Sequence, residues 1–248
     1  MKKMTSSLLS SPAKIVLTGG TSGIGAELVT ILHGRGHDLV VLSRRATSLP
    51  PKAGIERIDI DLSDTASVRA LAADLAGRHS DTSLLINNAA LQYPVPLTHP
   101  DFDDDAMIAE ATINLLAPAL LTRAFLPVLR RHGQGAAVVN ISSGLAFFPK
   151  QATALYCATK AGLHSFSQSL RYQLEADGVA VIEAILPLVD TPMTAGRGSG
   201  KISPRDAAEA IIGGVDRRED EIFIGKARLI PLFARLAPAL GRRIMRGA

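Results

Sequence analysis

Short apolar runs alternate with longer amphipathic segments along most of the chain. The short runs are rich in Val, Ile and Leu without polar alternation, as in parallel strands that are covered on both faces. They predict seven strands, over residues 14–18, 38–43, 54–59, 83–87, 136–142, 179–186 and 221–224. The segments between them predict helices over residues 24–35, 64–79, 103–131, 152–177 and 204–217. Alternation repeated this often predicts an α/β fold, a doubly wound parallel β-sheet of about seven strands flanked by helices.

Two features interrupt this pattern. Pro118 lies inside the segment 103–131, where it removes a backbone donor, and it predicts a kink. Residues 190–203 show no periodicity and contain three glycines, Gly196, Gly198 and Gly200. Glycines in a long loop favour mobility, so this segment is predicted to be a lid over a site.

The first predicted strand runs through a glycine-rich turn directly into a helix. Glycines permit a tight turn and let the backbone approach a diphosphate, and the helix N-terminus supplies N–H donors. A turn in this context favours a dinucleotide site and a Rossmann-like fold, against the alternative of an ordinary loop that needs glycine for a positive φ. The residues expected to contact the cofactor here are Thr18, Gly19, Thr21, Ser22, Gly23, Ile24 and Gly25.

The second predicted strand ends in Ser43, Arg44 and Arg45. A strand end that selects NAD carries an Asp or Glu for the ribose 2′-hydroxyl, whereas a 2′-phosphate needs cations and would be repelled by that acid. Two guanidinium groups and no acid therefore favour NADP (NADPH) over NAD. The alternative is that both arginines belong to a solvated strand end.

Tyr156 and Lys160 lie four residues apart within a predicted helix, so their side chains share one face. A nearby ammonium stabilises a phenolate and lowers the pKa of the tyrosine, which would make Tyr156 a general acid/base. Ser143, at the end of the strand that leads to this helix, can donate a hydrogen bond to a carbonyl oxygen. A Tyr-x-x-x-Lys pair alone is usually a surface pair, and this one gains weight from the turn and the serine that precede it.

In their order and spacing these motifs resemble the short-chain dehydrogenase/reductase (SDR) family, from about residue 14 to residue 223, and are most similar to its bacterial DltE-like branch. The family's serine lies thirteen residues before its tyrosine, which selects Ser143 over Ser142. The resemblance implies that Asn114 holds a water of the proton relay and that Lys160 also holds the nicotinamide ribose. It adds cofactor contacts at Asp61, Leu62, Asn88, Ala89, Ala90, Tyr156, Lys160, Pro187, Val189 and Thr191.

The same resemblance implies an NADP(H)-dependent oxidoreductase that transfers hydride between nicotinamide and a carbonyl or alcohol carbon of a small-molecule substrate. In the reductive direction Tyr156 would protonate the carbonyl oxygen while Ser143 polarises it. The alternative is a nucleotide-binding regulatory protein of the same fold, which would need only the cofactor half of the site. The family usually pairs the helices predicted over residues 103–131 and 152–177, which implies a homodimer or homotetramer.

Composition and charge exclude several other classes of protein. The apolar fraction of 47% is enough for a full core, and the single Cys157 excludes a disulfide within the chain. The net charge is +4, and residues 221–248 alone contribute +5, from six basic side chains and Glu221. The remaining body is near neutral, so nucleic-acid binding is not expected. No His/Cys cluster has metal-ligand spacing, so no metal site is expected.

The first 14 residues contain only a two-residue apolar patch, Leu8 and Leu9, which is too short for a signal peptide. No uninterrupted apolar stretch approaches the roughly 18–20 residues that span a bilayer, so a soluble cytoplasmic protein is expected. We predict one domain over residues 1–225 and a basic amphipathic C-terminal extension over residues 226–248. The extension can lie on an anionic membrane surface or pack on the body or a partner subunit. Packing is favoured because Pro231 and Pro238 break any long helix.

Overall fold

All seven predicted strands are present in the computed structural model, which describes residues 7–247. The strands are β1 (Lys14–Thr18), β2 (Asp38–Ser43), β3 (Ile55–Asp59), β4 (Thr82–Asn87), β5 (Ala137–Ser143), β6 (Ala180–Leu186) and β7 (Glu221–Phe223). They form one parallel sheet in the order β3-β2-β1-β4-β5-β6-β7, which confirms the doubly wound fold. The first six residues of the predicted domain 1–225 and the last residue of the extension 226–248 lie outside the described residues.

Helices cover both faces of this sheet. The α-helices of the described chain are α1 (Gly23–Gly34), α2 (Thr65–Arg78), α3 (Asp104–Ala111), α4 (Ala117–His132), α5 (Ala154–Leu174), α6 (Pro204–Asp216), α7 (Ile230–Leu236) and α8 (Pro238–Arg246). Successive side chains of β1 point to opposite faces, so Ile15 shares a core with Leu28 of α1, whereas Val16 shares one with Phe125 of α4. Two hydrophobic cores, one on each face, therefore hold the sheet between its helices.

The helix predicted over residues 103–131 is divided by a π-turn, Thr112–Leu116, which lies between α3 and α4. Pro118 follows the turn and has no N–H to donate to the carbonyl of Asn114, four residues earlier. The predicted interruption is present, and its form is a π-turn within a continuous helical stretch. Such turns are frequent at functional sites.

The helical stretch Asp104–Gly135 is long and apolar enough, by length and composition only, to cross a membrane. Polar residues such as Asn114 and Arg123 interrupt it, so it is not the uninterrupted apolar run whose absence the sequence predicts. Half of its apolar window is buried inside the protein, and Leu121, Phe125 and Leu129 lie in the core against the sheet. This burial is typical of the core helix of an α/β protein.

Polar side chains buried between the sheet and α5 join β4, β5 and the helix. Asn87 Nδ2 donates to Asn140 Oδ1 at 2.8 Å, and Asn140 Nδ2 donates to Ser167 Oγ at 2.9 Å. A buried polar group that loses its partner costs about 1–3 kcal/mol. These hydrogen bonds therefore fix the position of α5, which carries Tyr156 and Lys160, against the sheet.

Beyond β7, residues 226–247 form the C-terminal arm, which contains a short 3₁₀ turn, α7 and α8. Pro231 and Pro238 each lie in the first turn of a helix, so the arm has two short helices instead of a long one. Three apolar side chains are partly buried, as the expected packing requires: Ile230, Phe233 and Met245. Four others are exposed and do not pack on the body: Leu229, Leu232, Leu236 and Leu240. Packing of these four on a partner subunit stays a prediction.

Candidate active site

A cleft of about 250 Å³ opens at the carboxyl edge of the sheet, where the strand order reverses between β1 and β4. Ligands of open α/β sheets bind at this position. Sixteen of the predicted site residues line it: Gly19, Thr21, Ser22, Gly23, Ile24, Gly25, Ser43, Arg44, Asp61, Leu62, Asn88, Ala89, Ala90, Tyr156, Lys160 and Thr191. Six do not: Thr18, Arg45, Asn114, Ser143, Pro187 and Val189. The lining residues that sequence analysis missed are Ile60, Leu91, Ile113, Ile141, Ser142, Leu186, Pro192 and Met193.

The glycine-rich turn presents a backbone surface with no room for side chains. A Cβ at Gly25 would lie 2.0 Å from the Gly19 carbonyl oxygen, and a Cβ at Gly19 would lie 2.8 Å from the Ala89 Cα. Gly19 and Gly23 also have positive φ angles, of 72° and 52°. The turn therefore brings bare backbone and the N-terminus of α1 to the cleft, an arrangement that fits the diphosphate of a dinucleotide.

Thr18 does not line the cleft, but it joins the two strands that bound it. Its hydroxyl oxygen accepts hydrogen bonds from the backbone N–H groups of Asn88 and Ala89, at 3.0 and 2.9 Å. The Asn88 side chain donates in return to the carbonyls of Thr18 and Gly19, at 3.0 and 3.1 Å. Thr18 is therefore a positioning residue that holds the turn against the carboxyl end of β4.

The end of β2 presents one of its two arginines to the cleft. Arg44 is exposed and lines the cleft, whereas Arg45 is exposed outside it. The Asp61 carboxylate accepts hydrogen bonds from the Ser63 N–H and hydroxyl, which with the Arg44 guanidinium hold the pKa of Asp61 below its ordinary value. This end of the cleft therefore contains one available guanidinium beside an ionised, already bonded carboxylate.

Lys160 is buried in the wall of the cleft, with 2% of its surface exposed. Its Nζ donates to the Ile141 carbonyl oxygen at 2.9 Å and lies 5.6 Å from the centroid of the Tyr156 ring. Burial lowers the pKa of Lys160 to about 8, and the carboxylates of Glu183 and Glu110 oppose this effect. Lys160 therefore exchanges its proton nearer to neutral pH than an exposed lysine does.

Tyr156 lies one turn before Lys160 on α5 and is partly buried. Burial raises the pKa of its phenol well above the ordinary value, Glu110 and Cys157 raise it further, and Arg197 opposes them. The expectation that Lys160 lowers this pKa is wrong for this arrangement, because the effect of burial dominates. The phenol is therefore protonated at neutral pH, which is the state that a proton donor needs.

The two serines at the end of β5 have different surroundings. Ser143 Oγ accepts a hydrogen bond from the Leu145 N–H at 3.2 Å and caps the 3₁₀ turn Gly144–Ala146. Ser142 lines the cleft, and its buried hydroxyl has no partner among the described residues. The motif spacing selects Ser143 while the cleft wall contains Ser142, so substitution of each serine is needed to separate their roles.

Asn114 lies in the π-turn and is 1% exposed. Its Oδ1 accepts a hydrogen bond from the Leu91 N–H at 2.8 Å, and its Nδ2 donates to the Leu91 carbonyl at 2.8 Å and to Thr159 Oγ1 at 3.1 Å. Both donors of the amide are thus in use, and the side chain joins the loop after β4 to α5. Pro118 has no N–H, so the Asn114 backbone carbonyl lacks its α-helical donor.

Glu110 is a buried carboxylate that sequence analysis missed. It is 1% exposed; its Oε2 accepts a hydrogen bond from the Tyr93 N–H at 2.8 Å, and its Oε1 has no partner among the described residues. Burial raises the pKa of Glu110, while the Tyr93 hydrogen bond and the Lys160 ammonium oppose the rise. The signal in the sequence was its spacing, four residues before Asn114 and so on the same helical face.

Glu183, on β6, is a second missed carboxylate and is fully buried. Its Oε2 lies 2.6 Å from Nδ1 of His164 on α5, and this hydrogen bond raises the pKa of His164. The ligand atoms of Glu183, His164 and Glu221 lie within 4.8 Å of one another, but the short contact identifies a direct imidazole–carboxylate pair. An acid in the middle of an otherwise apolar strand was the available signal.

The segment 190–203, predicted to be a lid, forms one side of the cleft through Thr191, Pro192 and Met193. Arg197 Nη1 donates to Gln92 Oε1 at 2.7 Å, which ties the segment to the loop after β4. Its three glycines all have positive φ angles, at Gly196, Gly198 and Gly200. The glycines therefore serve defined turns in this conformation, and mobility of the segment stays a prediction.

Comparison with known proteins agrees with this site. Residues 13–201 match the family model described as short chain dehydrogenase. The uncharacterized oxidoreductase DltE of Bacillus subtilis (strain 168) is 35% identical over 184 residues, 71% of this chain and 71% of that protein. A short-chain dehydrogenase from Burkholderia cenocepacia J2315 in complex with NADP superposes with a TM-score of 0.84 at 26% identity, covering 95% of this chain and 98% of its own. A short-chain dehydrogenase from Sphingobium yanoikuyae in complex with NADPH gives a TM-score of 0.77 at 26% identity, covering 89% and 92%.

Proposed function

Since the chain belongs to the short-chain dehydrogenase family and is an NAD(P)-dependent oxidoreductase, we propose that it interconverts a carbonyl and an alcohol with NADP(H), using Tyr156 as general acid/base. The observation that supports this most is the convergence of the glycine-rich turn, Arg44, Tyr156 and Lys160 on one cleft. The nicotinamide, when bound, supplies or accepts the hydride. The proton and the orientation of the substrate depend on side chains of the chain itself.

In the reductive direction Tyr156 donates its phenolic proton to the carbonyl oxygen as negative charge develops there. Its raised pKa keeps the proton on the phenol until that charge develops. The Lys160 ammonium, 5.6 Å from the ring, stabilises the phenolate that is left, and a water on the Asn114 carbonyl connects the pair to solvent. A serine hydroxyl of β5 donates a hydrogen bond to the same substrate oxygen.

The test of turnover is NADPH oxidation with a panel of carbonyl compounds. We expect Tyr156→Phe to lower kcat by about 10³-fold, because general acid catalysis contributes roughly 10²–10⁴-fold. Ser143→Ala is expected to lower kcat by about 10²-fold, and Ser142→Ala is measured beside it because the Ser142 hydroxyl lines the cleft. Full activity of Tyr156→Phe would exclude the assignment. NADPH binding without turnover of any substrate would favour the nucleotide-binding regulatory protein.

The protonation of Lys160 gives a second test. Because burial lowers its pKa to about 8, the ammonium is lost as the pH rises through that value. We expect kcat/KM for carbonyl reduction to be level below about pH 8 and to fall above it, since both proton supply and phenolate stabilisation need the ammonium. The measurement is a pH profile of kcat/KM. A profile that stays level to about pH 10, where an exposed lysine titrates, would contradict this role of Lys160.

Arg44 supports the choice of NADP(H) over NAD(H). It is the guanidinium at the end of β2 that lines the cleft, and guanidinium groups bind phosphates through paired, charge-assisted hydrogen bonds. We expect Arg44→Ala to weaken NADPH binding about 10–100-fold and NADH binding little, measured by nicotinamide fluorescence. Arg45→Ala should have a smaller effect, and Arg69→Ala, at an exposed position of α2, is the control. Equal losses for both nucleotides would contradict the choice.

We also propose that the chain is a homo-oligomer that pairs through the layer of α3, α4 and α5. Large apolar side chains are exposed on this layer, at Ile108 (59%), Leu116 (49%) and Tyr172 (73%). If these side chains form one contiguous patch in the folded domain, such a patch is typical of an interface. Sedimentation equilibrium should give a dimer or tetramer that Tyr172→Glu dissociates, while Leu97→Glu, at an exposed leucine of the loop between β4 and α3, leaves it unchanged. A monomeric wild-type protein would contradict the proposal.

A further inference from the structure

The C-terminal arm carries two parallel apolar stripes that differ in exposure. The inner stripe is turned toward the body and consists of Ile230, Phe233, Ala237, Gly241 and Met245. The outer stripe is exposed and consists of Leu229 (51%), Leu232 (55%), Leu236 (71%), Leu240 (48%) and Ile244 (54%). Within α7 and within α8, spacings of three and four residues place the members of each stripe on one side of the helix, and Ala237 separates the two helices. The outer stripe holds five of the ten large apolar side chains that are exposed in the described protein.

The inner stripe holds the arm in a fixed orientation. A Cβ added to Gly241 would lie 2.5 Å from a ring carbon of Phe148, so the α8 backbone lies directly on that ring. A Cβ added to Gly144 would lie 2.8 Å from Cδ1 of Ile230. Both contacts are made to the segment that follows β5. The arm therefore lies against the body beside the end of β5, and the outer stripe faces away from it.

The charges of the arm all have one sign. From residue 222 to residue 247 there is no Asp or Glu. The six cations are exposed: Lys226, Arg228, Arg235, Arg242, Arg243 and Arg246. None of them forms an ion pair with a carboxylate of the described residues. The arm therefore presents uncompensated positive charge next to uncovered apolar surface.

The cations border the outer stripe in a repeated way. Arg235 follows Leu232 by three residues in α7, and Arg243 follows Leu240 by three residues in α8. Residues three apart are neighbours on a helix surface, so in each helix a guanidinium lies at the edge of the leucine stripe. Long basic side chains can extend from such an edge to phosphates while the apolar side chains enter a hydrocarbon layer.

We propose that the C-terminal arm docks on the surface of an anionic lipid bilayer, with the outer stripe in the headgroup–acyl boundary and the cations on lipid phosphates. Charge complementarity selects this occupant, because anionic headgroups attract basic segments. The same face of a second copy would bring six cations against six cations, which is unfavourable. This inference does not depend on the substrate or on turnover.

The test is co-sedimentation of the full-length protein with phosphatidylcholine vesicles, with and without about one-third phosphatidylglycerol. We expect about 100-fold stronger binding to the anionic vesicles, most of it lost in about 0.5 M salt. Leu236→Glu/Leu240→Glu and Arg235→Glu/Arg243→Glu should each remove the binding. Leu97→Glu, at a leucine that is 62% exposed outside the arm, should retain it. NADPH oxidation without vesicles should be the same in all these variants as in the wild type. A failure of the proposed oxidoreductase function is therefore distinguishable from a failure of membrane binding.

Two outcomes would overturn the inference. One is that the protein does not sediment with anionic vesicles, or that Leu236→Glu/Leu240→Glu sediments as the wild type does. The other is that Leu236→Glu/Leu240→Glu dissociates an oligomer in the absence of vesicles, which would identify a second copy as the occupant of the outer stripe. Thermal unfolding at the wild-type temperature shows that the variants remain folded, as expected for exposed positions.

Discussion

At the nucleotide end of the cleft, the turn at residues 19–25 brings its glycine backbone close to neighbouring atoms, so that a Cβ added at Gly19 or Gly25 would collide with them. At the catalytic end, Lys160 shares a buried region with Glu110 and Glu183, which come from α3 and β6. The first end is determined by the absence of side chains, and the second by the balance of buried charges. The nucleotide end should therefore respond to added volume, and the catalytic end to altered protonation.

The largest effect is expected from Gly25→Ala at the nucleotide end. The added Cβ would lie 2.0 Å from the Gly19 carbonyl oxygen, so the turn has to move. We expect a loss of about 3 kcal/mol in the free energy of unfolding, measured in urea, because overpacking of a rigid site costs this much. NADPH binding should weaken by at least about 100-fold in fluorescence titration, since the turn no longer presents its backbone.

Gly77→Ala is the matched control for this substitution. Gly77 lies in α2, and a Cβ there would meet nothing within 4 Å. Alanine in place of glycine inside a helix is expected to stabilise the protein by about 0.5–1 kcal/mol, and NADPH binding should not change. If both variants lose stability and affinity equally, the space at Gly25 is not what determines the nucleotide end.

A smaller effect is expected from Glu183→Gln at the catalytic end. The free energy of unfolding should fall by about 2 kcal/mol at acidic pH, because a hydrogen bond to a charged group is lost. Glu183 raises the pKa of His164 above the ordinary 6.5. The stability from this pair is fully present below about pH 6.5 and is lost as the pH rises through the raised pKa. Urea unfolding over this range should therefore show the two proteins converging at alkaline pH. A stability difference between the two proteins that does not change with pH would show that Glu183 acts only through packing. His164→Asn should differ from the wild type in stability with the same pH dependence as Glu183→Gln.

The smallest effect, about 1 kcal/mol in the free energy of unfolding, is expected from Glu110→Gln, and this substitution should stabilise the protein. Because burial raises the pKa of Glu110, the stability that its neutral form contributes is lost as the pH rises through that raised value. The neutral amide keeps an acceptor for the Tyr93 N–H, so the variant should be more stable than the wild type at neutral pH.

Glu110→Gln should also alter the chemistry of Tyr156. The carboxylate raises the pKa of that phenol, so its removal should move the limb on which alcohol oxidation rises with pH, where the phenolate accepts the proton, to lower pH. Glu209→Gln, at an exposed position of α6, is the control. A destabilised variant with an unchanged pH profile would identify Glu110 as a packing residue that only anchors Tyr93.

These two ends also differ in how far the sequence predicts them. The strands, their parallel arrangement and the glycine-rich turn follow from local runs of residues, so they could be predicted with errors of one or two residues at the ends. Arg45, by contrast, adjoins Arg44 in sequence but lies outside the cleft, because the side-chain direction at a strand end depends on the turn that follows. The positions of such side chains depend on tertiary neighbours that the local sequence does not identify.

The pKa of Tyr156 shows this dependence most clearly. Its pairing with Lys160 on one helical face is local and could be predicted, whereas the burial that raises its pKa comes from elements distant in sequence. Glu183 contacts His164 only after β6 and α5 pack together. The exposed leucines of the C-terminal arm likewise could not be told from buried ones, because both stripes have helical spacing.

The number of residues in the π-turn Thr112–Leu116 determines where Glu110 lies relative to Tyr156 and Lys160. A π-turn contains one more residue than an α-helical turn, and each residue of a helix turns the chain by about 100°. Deletion of a single residue here would rotate α3 relative to α4 and carry Glu110 away from the Tyr156–Lys160 pair, with every side chain of that site still present. The one extra residue of the π-turn thus sets the position of Glu110 relative to this pair.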